Sequence, residues 1–268
     1  MIDVQGVSHV YPDGTRALDR VDLAIPDGDR LAIIGQNGSG KSTLVRHFNG
    51  LLRPTEGRVV LDGRPTDGLR VATLAARVGL AFQDPDRQIF AGRVRTEVAF
   101  GPRNLGLRDS ALETAVTGAL ASVGLIEQAE HNPYDLGFSS RKLLALASIL
   151  AMGTPTVVLD EPTTGQDLRG VERIQAIVAE LAAAGRTVIA ISHDMRFVAE
   201  SFARVVVMRA GQVILDGTPA EVFAEASWEA LASTYVEPPL AARIGIRLGL
   251  GSTPTDGALV DALVRRSA

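Results

Sequence analysis

The sequence predicts an α/β fold: a parallel-sheet core with an antiparallel β subdomain, an inserted α-helical subdomain and a C-terminal extension. Short, almost wholly apolar segments, typical of strands buried on both faces, alternate with helical patterns. The strand signals disappear between residues 88 and 151, where Leu, Val and Ala recur at helical spacing. We therefore expect a main domain over residues 1–226, with its helical subdomain at about 88–151, and an extension over 227–268.

Length and composition fit a globular protein of the cytosol. The 268 residues suffice to bury a sizeable core, and 46% of them are hydrophobic against 22% charged. The absence of cysteine excludes disulfides and thiolate metal sites, and it agrees with a reducing compartment. A net charge of −4 argues against broad nucleic-acid binding, which depends on Lys and Arg neutralising phosphates. No nucleic-acid partner is therefore expected.

No segment of the sequence predicts a membrane span. The first four residues lack the basic and apolar pattern of a secretory signal. The longest uncharged segment, residues 143–159, is shorter than the roughly 20 apolar residues that a spanning helix needs, and the run Gly153-Thr154-Pro155 interrupts it. If the protein serves a membrane, it must dock there through partners that span it.

Local patterns predict the individual elements. Antiparallel strands with Pro-Asp-Gly turns are expected at residues 2–7 and 18–25. The apolar strands of the core are expected at residues 30–35, 78–82, 156–159 and 187–191. The predicted helices cover residues 42–49, 108–123, 139–151, 170–184 and 257–265. A hairpin is expected from residues 205–208 and 212–215.

The most specific motif is a glycine-rich run at residues 35–42, Gly-Gln-Asn-Gly-Ser-Gly-Lys-Ser, which matches G-x-x-x-x-G-K-[ST] between a strand and a helix. Its glycines let backbone N–H groups surround phosphates, and the helix N-terminus adds a favourable dipole. Lys41 is expected to reach the β- and γ-phosphates of ATP, and Ser42 to bind Mg²⁺. The predicted nucleotide-binding residues are Gly35, Asn37, Gly38, Ser39, Gly40, Lys41, Ser42 and Thr43. A glycine-rich turn without function is the alternative, but motif and context together predict a P-loop NTPase (RecA-like) core.

Two adjacent carboxylates, Asp160 and Glu161, follow the apolar strand at residues 156–159. Ligands of α/β sheets bind at the carboxyl ends of strands, so Asp160 is a candidate Mg²⁺ ligand. Glu161 is a candidate to orient or deprotonate the attacking water. Alone, such a pair is more often a turn; together with the P-loop it predicts phosphoryl transfer.

Two further polar residues follow predicted strands. His193 is a candidate hydrogen-bond donor to the γ-phosphate. Gln83 is a candidate contact for the metal and the attacking water. A surface or core histidine and an ordinary turn residue are the alternatives, and the remaining histidines are interpreted in that plain sense: His9, His47 and His131.

In their order along the chain, these residues resemble the ATPase subunit of an ABC transporter, and the resemblance covers most of the chain. Residues 11–15, 82–90 and 97–107 resemble more narrowly the energy-coupling factor subgroup, whose members power uptake of vitamins or of cobalt and nickel ions. The resemblance implies a pair of ATPase chains, identical or different, with each ATP between one P-loop and the other chain's signature loop. It also implies a transmembrane coupling protein and a membrane substrate-binding protein, at the cytoplasmic side of the cell membrane.

Several residue roles rest on the resemblance alone. Tyr11 would stack on adenine, with a buried tyrosine of the β subdomain as the alternative. Asp167 would link the two sites of the dimer. Residues 84–90 would form part of the groove that receives cytoplasmic helices of the membrane subunit. Residues 227–268 would be a dimerisation element, or else a surface-packing extension.

The signature loop departs from the family pattern, since Leu-Gly-Phe-Ser-Ser at residues 136–140 replaces Leu-Ser-Gly-Gly-Gln. The family's serine and glycines offer a hydroxyl and N–H groups to the γ-phosphate bound by the partner. Here Ser139 and Ser140 are the candidate nucleotide contacts, and either is expected to cap the following helix, while Phe138 adds bulk. We therefore hypothesise a heterodimer whose two sites are unequal.

The main interpretation is the ATP-hydrolysing subunit of an energy-coupling factor transporter. A second is a soluble ABC-type ATPase of translation or DNA repair, which usually carries tandem cassettes or a long coiled coil; this sequence has neither. A third is a regulatory ATP-binding subunit with little turnover. Glu161 and His193 argue against the third, whereas the altered signature loop favours it. The sequence does not identify the transported substrate.

Overall fold

The structure is a computed structural model that describes residues 1–267, within which the chain forms ten strands and eleven α-helices. The strands are β1 (Ile2–Val10), β2 (Arg16–Ile25), β3 (Arg30–Ile34), β4 (Glu56–Leu61), β5 (Arg64–Pro65), β6 (Val78–Ala81), β7 (Thr156–Asp160), β8 (Thr187–Ile191), β9 (Arg204–Arg209) and β10 (Gln212–Gly217). The helices are α1 (Lys41–Phe48), α2 (Val71–Ala75), α3 (Val94–Asn104), α4 (Asp109–Val123), α5 (Phe138–Ala151), α6 (Leu168–Ala183), α7 (Met195–Ser201), α8 (Pro219–Val222), α9 (Trp228–Ala232), α10 (Leu240–Arg247) and α11 (Asp256–Ser267). No helix within residues 1–267 combines the length and apolarity needed to cross a membrane.

The chain divides into two compact units. Residues 1–67, together with the chain from residue 191 onward, form the first unit, and residues 68–190 form the second. The first unit therefore contains β3, the P-loop and α1, whereas the second contains β6, β7 and the helices α2 to α6.

The first unit combines an antiparallel sheet with a set of strands that leads into the P-loop. The antiparallel sheet has the order β2-β1-β4-β5, and Ile2 lies opposite both Ile25 and Leu61. Three further strands lie in the order β10-β9-β3, in which β3 is parallel to β9. β3 is fully buried from Leu31 to Ile34, which explains its unbroken apolar run.

The second unit places helices α3, α4 and α5 in mutual contact beside strands that lie in the order β8-β7-β6. β6 and β7 are parallel, and Ala81 lies opposite Leu159. Their carboxyl ends therefore share one edge. Leu144 and Ala147 of α5 are fully buried, which accounts for the helical spacing of its apolar residues.

The structure confirms the predicted fold class, with parallel strands, an antiparallel sheet, an inserted helical segment and a helical C-terminal extension. The sequence pattern did not predict β4, which begins with Glu56, Gly57 and Arg58, or β5, which is only two residues long. Gly57 of β4 has a φ of 75°, and a Cβ there would lie 2.2 Å from the carbonyl oxygen of Gly6 on β1. The glycine that weakens the strand signal is thus required by the close passage of β1.

Candidate active site

The P-loop of the first unit joins β3 to α1, and its glycines give it its shape. Gly35 and Gly40 have φ angles of 140° and 102°, which side chains rarely permit. A Cβ at Gly35 would lie 2.1 Å from the carbonyl oxygen of Met208, and one at Gly40 would lie 2.5 Å from that of Ala17. Both positions therefore require glycine, because neighbouring backbone passes too close for any side chain.

Lys41 and Ser42 begin α1 at the end of this loop. The Nζ of Lys41, a residue only 6% exposed, donates hydrogen bonds to the carbonyl oxygens of Gly35 at 2.6 Å and Gln36 at 2.8 Å. The ammonium therefore lies against the start of the loop, and half-buried Ser42 follows it in the first helical turn. A cation beside the N–H groups of a helix N-terminus forms a site for phosphate.

A buried threonine of the C-terminal extension holds the P-loop backbone. The N–H of Gln36 donates to Oγ1 of Thr234 at 3.0 Å, and that hydroxyl donates to the carbonyl oxygen of Met208 at 3.1 Å. The N–H of Gly211 donates to the carbonyl oxygen of Ser39 at 3.0 Å. Thr234 was not predicted as a site residue, because its partner lies 198 positions away in the sequence.

Tyr11 lies beside α1 and is fixed by its polar tip. Its hydroxyl shares a 3.0 Å hydrogen bond with Oγ1 of Thr43, and its ring meets that of His9 edge to face at a centroid distance of 4.7 Å. His47 extends this cluster, since its Nδ1 donates to the Thr43 carbonyl oxygen at 2.7 Å. Burial lowers the pKa of His47 to about 4, against the opposing effect of that carbonyl. His9 and His47 are thus core residues, and His47 is neutral at pH 7.

His193 follows β8 and contacts the tip of the P-loop. Its Nε2 lies 3.1 Å from Oδ1 of Asn37, so that with a proton on Nε2 the ring donates to this amide oxygen. Partial burial, and then the ammonium of Lys41, lower the pKa of His193. The first unit therefore brings a neutral histidine to the P-loop.

In the second unit, β7 ends on Asp160, and Glu161 follows it directly. Both carboxylates are buried, at 4% and 5% exposed. Glu161 has a φ of 51°, so the backbone enters the left-handed region immediately after the strand. Its Oε2 lies 3.5 Å from Oγ1 of Thr164. Two buried carboxylates at the carboxyl edge of parallel strands offer both a metal ligand and a base.

Gln83 lies two residues beyond β6, which ends at Ala81 rather than at the predicted Phe82. Because β6 and β7 are parallel and in register at Ala81, Gln83 and Asp160 leave the sheet at the same edge. Gln83 is exposed, whereas Asp160 is buried. The second unit therefore brings Gln83, Asp160 and Glu161 to one edge of its strands, and their functions stay predictions.

The signature loop leads directly into α5, which begins at Phe138 with Gly137 as its N-cap residue. The predicted capping by Ser139 or Ser140 is wrong, because both serines lie inside the first turn and no side chain caps this helix. Instead, Oγ of Ser139 donates to Oε1 of Gln166 at 2.8 Å, and Nε2 of Gln166 donates to the Ser139 carbonyl oxygen at 3.1 Å. Ser139 is thus engaged within its own chain.

Phe138 covers Gly165 in the loop that follows Glu161. Gly165 has a φ of 76°, and a Cβ there would lie 2.8 Å from the Phe138 ring. The ring is nevertheless 44% exposed on its other side. The bulk that the sequence introduces at residue 138 is therefore partly accommodated against a glycine of the same chain.

Asp167 is the N-cap of α6. Its carboxylate accepts a 2.8 Å hydrogen bond from the N–H of Gly170, and the residue is exposed. This contact gives Asp167 a local structural function. Its function in linking two nucleotide sites stays a prediction.

Lys142, one turn into α5, was not predicted as a site residue. It is 7% exposed, and its Nζ donates to the carbonyl oxygens of Glu161 and of Thr164, the latter at 3.0 Å. Burial lowers the pKa of Lys142, while Glu161 and then Asp160 oppose this shift. The sequence shows only a lysine near the start of an apolar helix. Such a lysine usually lies in solvent, so the sequence did not indicate a buried residue of the site.

The predicted Mg²⁺ ligands have suitable chemistry. Ser42, Asp160 and Gln83 supply hydroxyl, carboxylate and amide oxygens, which a hard cation prefers, and Asp160 is a buried carboxylate at a strand end. In the part of the chain that the structure describes, no cluster of three or more His, Cys, Asp or Glu side chains can hold a metal ion. Mg²⁺ is usually held by one or two carboxylates together with substrate phosphates, and its binding to this chain stays a prediction.

Comparison with known proteins identifies the family. The sequence profile of the ABC transporter family matches residues 18–164, which is more than half of the chain. An energy-coupling factor transporter ATP-binding protein, EcfA, of Methanothermobacter thermautotrophicus is 42% identical over 228 residues, covering 84% of this chain and 73% of that protein. EcfA1 of Methanospirillum hungatei is 38% identical over 261 residues, covering 94% of each chain.

A solved structure supports the same family, and some relatives are longer than this chain. The structure of cbiO1 from Clostridium perfringens, described as part of the ABC transporter complex cbiONQ, matches with a TM-score of 0.76 at 36% identity, covering 92% of this chain and 98% of that chain. Some relatives are much longer: the chain spans 40% of a putative ABC transporter ATP-binding protein of Methanosarcina acetivorans that is 40% identical over 245 residues. With a P-loop, two strand-end carboxylates and these relatives, the chain belongs to the ABC transporter family as one of its ATP-hydrolysing proteins.

Proposed function

We propose that this ATPase is the energy-supplying subunit of an energy-coupling factor transporter, placed peripherally on the cytoplasmic side of the cell membrane, where it powers uptake of a vitamin or a transition-metal ion. The observation that carries nucleotide binding is the P-loop, whose glycines and buried Lys41 form a phosphate cradle. The transporter class is supported by relatives named energy-coupling factor ATP-binding proteins at 38% to 46% identity.

In this proposal the P-loop binds the triphosphate. Lys41 exchanges its bonds to the Gly35 and Gln36 carbonyl oxygens for bonds to the β- and γ-phosphate oxygens, and the N–H groups of the loop and of α1 bind the remaining oxygens. Tyr11 stacks on the adenine, held in place by its bond to Thr43. These contacts fix the γ-phosphate for attack.

Hydrolysis requires a base and a neutral donor. Glu161 accepts a proton from the water that attacks the γ-phosphorus in line, and ADP leaves. Gln83 orients that water, and His193 donates a hydrogen bond to a γ-phosphate oxygen. Ser42 and Asp160 would hold Mg²⁺, which would neutralise charge on the phosphates.

The groove for the membrane subunit lies in the second unit. Phe90 and Phe100 are 59% and 50% exposed, and their rings meet edge to face at 4.7 Å. Phe82 and Met152 line the same pocket. An exposed aromatic pair beside residues 84–90 supports the docking of a helix from a transmembrane coupling protein.

We further infer a pair of ATPase chains with two unequal sites. The P-loop of this chain matches its motif at every fixed position, whereas Ser139 is engaged by Gln166 and Phe138 occupies the position of a signature glycine. The site that this chain completes for its partner is therefore the weaker one.

The test is to compare the wild-type chain with Glu161→Gln after purification from membranes. We expect a second ATPase and membrane proteins to co-purify with both, ATP binding to be retained, and ATP turnover to fall by about 10²- to 10⁴-fold in the variant. Glu172→Gln, an exposed isosteric change on α6, is the control that should retain turnover. Wild-type turnover in Glu161→Gln, or a chain that never associates with membrane proteins, would contradict the proposal.

A further inference from the structure

The start of α5 holds the loop that follows Glu161. Three side chains of the first two turns contact this loop: Ser139 pairs with Gln166, Phe138 covers Gly165, and Lys142 reaches the residues nearest the strand. The loop is therefore held along its length by one helix of the same chain.

Lys142 makes the contacts closest to the catalytic carboxylate. Its ammonium donates to the carbonyl oxygens of Glu161 and Thr164, three residues apart, so a single cation closes the turn between them. The Nζ also lies 5.9 Å from the centre of the Phe138 ring. A buried ammonium is costly unless it is hydrogen-bonded, so these carbonyl oxygens are the partners that keep it in place.

The backbone at Glu161 needs such support. Its φ of 51° is uncommon for a residue with a side chain, and conformations of this kind persist where the surroundings enforce them. The carbonyl oxygen that Lys142 binds belongs to Glu161 itself. Any change in this bond therefore acts directly on the residue that presents the carboxylate.

We propose that Lys142 is a positioning residue that fixes the backbone turn at Glu161, and with it the catalytic carboxylate, from the signature helix of the same chain. The inference rests on the proposed function of Glu161 as the base. It gives α5, the helix that follows the signature loop, a second function, since α5 would serve the chain's own ATP site as well as the site completed for a partner. A lysine that acted only in stability would leave turnover unchanged once the protein was folded.

Four variants test this in the protein as purified from membranes. Lys142→Met keeps length and removes the donors; Lys142→Arg keeps donors and charge. Ser148→Ala, buried two turns further along α5 with its hydroxyl bonded to Leu144, is the matched control. Glu161→Gln measures the proposed function separately.

Kinetics and nucleotide binding supply the first readout. We expect Lys142→Met to lower kcat on the order of 100-fold, as for a misplaced catalytic group, with KM for ATP and the affinity for a non-hydrolysable ATP analogue within about twofold of wild type. Lys142→Arg should recover most of the rate, and Ser148→Ala should match wild type. If Glu161→Gln loses activity while Lys142→Met retains it, the inference fails and the proposed function stands. If Glu161→Gln retains activity, the proposed function itself fails.

Hydrogen exchange supplies a readout that does not depend on turnover. In Lys142→Met, amides of residues 161–167 should exchange faster than in wild type, whereas those of β8 should not change. Unchanged exchange at 161–167 would overturn the inference. If Lys142→Met does not fold, Lys142→Arg carries the same test: it should fold and protect residues 161–167 as wild type does, and a folded Lys142→Arg with wild-type turnover but unprotected residues 161–167 would also overturn it.

Discussion

The P-loop and the signature loop (residues 136–140) are both proposed to contact phosphate, but different groups form the two loops. In the P-loop the proposed phosphate contacts are backbone N–H groups and the Lys41 ammonium, and Gly35 and Gly40 cannot change because the Met208 and Ala17 carbonyl oxygens lie where a Cβ would be. In the signature region the glycines have been replaced, and side chains of Phe138 and Ser139 contact a neighbouring loop instead. Close backbone contacts therefore allow only glycine at these two P-loop positions, whereas the signature loop holds larger side chains that pack against a neighbouring loop.

The largest effect expected from this comparison is at the P-loop. Lys41→Ala removes the ammonium from the phosphate site, and ATP turnover should fall on the order of 1,000-fold, the typical loss for a group that stabilises developing charge. Arg46→Ala, half-buried later in the same helix, is the control. A steady-state phosphate-release assay measures both. A Lys41→Ala rate within tenfold of wild type would contradict this comparison, because the P-loop would then not be needed for ATP turnover.

The P-loop helix should also be sensitive to acid. The pKa of His47 is about 4 in the folded chain against 6.5 for an ordinary histidine, so as pH falls below 6.5 the unfolded chain gains a proton that the folded chain does not. The folded state therefore has its full stability from this residue above pH 6.5, and it loses stability relative to the unfolded chain as the pH falls from 6.5 towards 4. Between pH 8 and pH 5 the loss from His47 amounts to about 2 kcal/mol of unfolding free energy.

Urea unfolding at the two pH values checks this contribution. His47→Gln should lose less stability on acidification than the wild-type chain by about that amount of 2 kcal/mol. His131→Gln, at an exposed position, should behave as wild type. An identical pH dependence of wild type and His47→Gln would show that the buried histidine does not limit stability in acid.

Packing in the signature region should have a moderate effect. Gly165→Ala places a methyl group against the Phe138 ring in a left-handed backbone and should lower the unfolding free energy by about 1 kcal/mol. Adding Phe138→Ala removes the clash, so the double variant should lose less than the sum of the two single losses. Additive losses in thermal unfolding would show that the ring and the glycine are not in contact.

The smallest effect is expected at the serine pair. Ser139→Ala removes the bond to Gln166 and should cost about 0.5 to 1 kcal/mol of unfolding free energy, because the site is only half-buried. Ser140→Ala is the adjacent control and should be close to neutral. Equal costs for the two serines in urea unfolding would remove the distinction between them.

The sequence was sufficient to predict the features that are formed by a contiguous run of residues. The P-loop, the apolar strands and the Asp160-Glu161 pair each lie within a few positions, so periodicity and motif spacing identify them. Residues that act through distant partners were missed. Lys142 bonds to carbonyl oxygens 19 and 22 positions away, and Thr234 bonds to an amide 198 positions away, so nothing in their local sequence distinguishes them.

The serine caps were mispredicted for a related reason. Ser139 and Ser140 precede an apolar helical run, and serine at such a boundary favours an N-cap. The helix begins earlier, at Phe138, and the hydroxyl of Ser139 finds Gln166 from a loop that is adjacent only in the fold. The local sequence therefore did not reveal that the Ser139 hydroxyl has a tertiary partner instead of a backbone N–H group of its own helix.

The most direct test of the central claim, an intact P-loop beside an altered signature loop, is ATP turnover by the assembled pair of ATPase chains with one base removed at a time. Glu161→Gln removes the proposed base of the site at this chain's own P-loop. The equivalent Glu→Gln change in the proposed partner ATPase removes the base of the site that this chain's signature loop is proposed to complete. We predict a loss of most turnover in the first case and a much smaller loss in the second. Equal losses would contradict unequal sites.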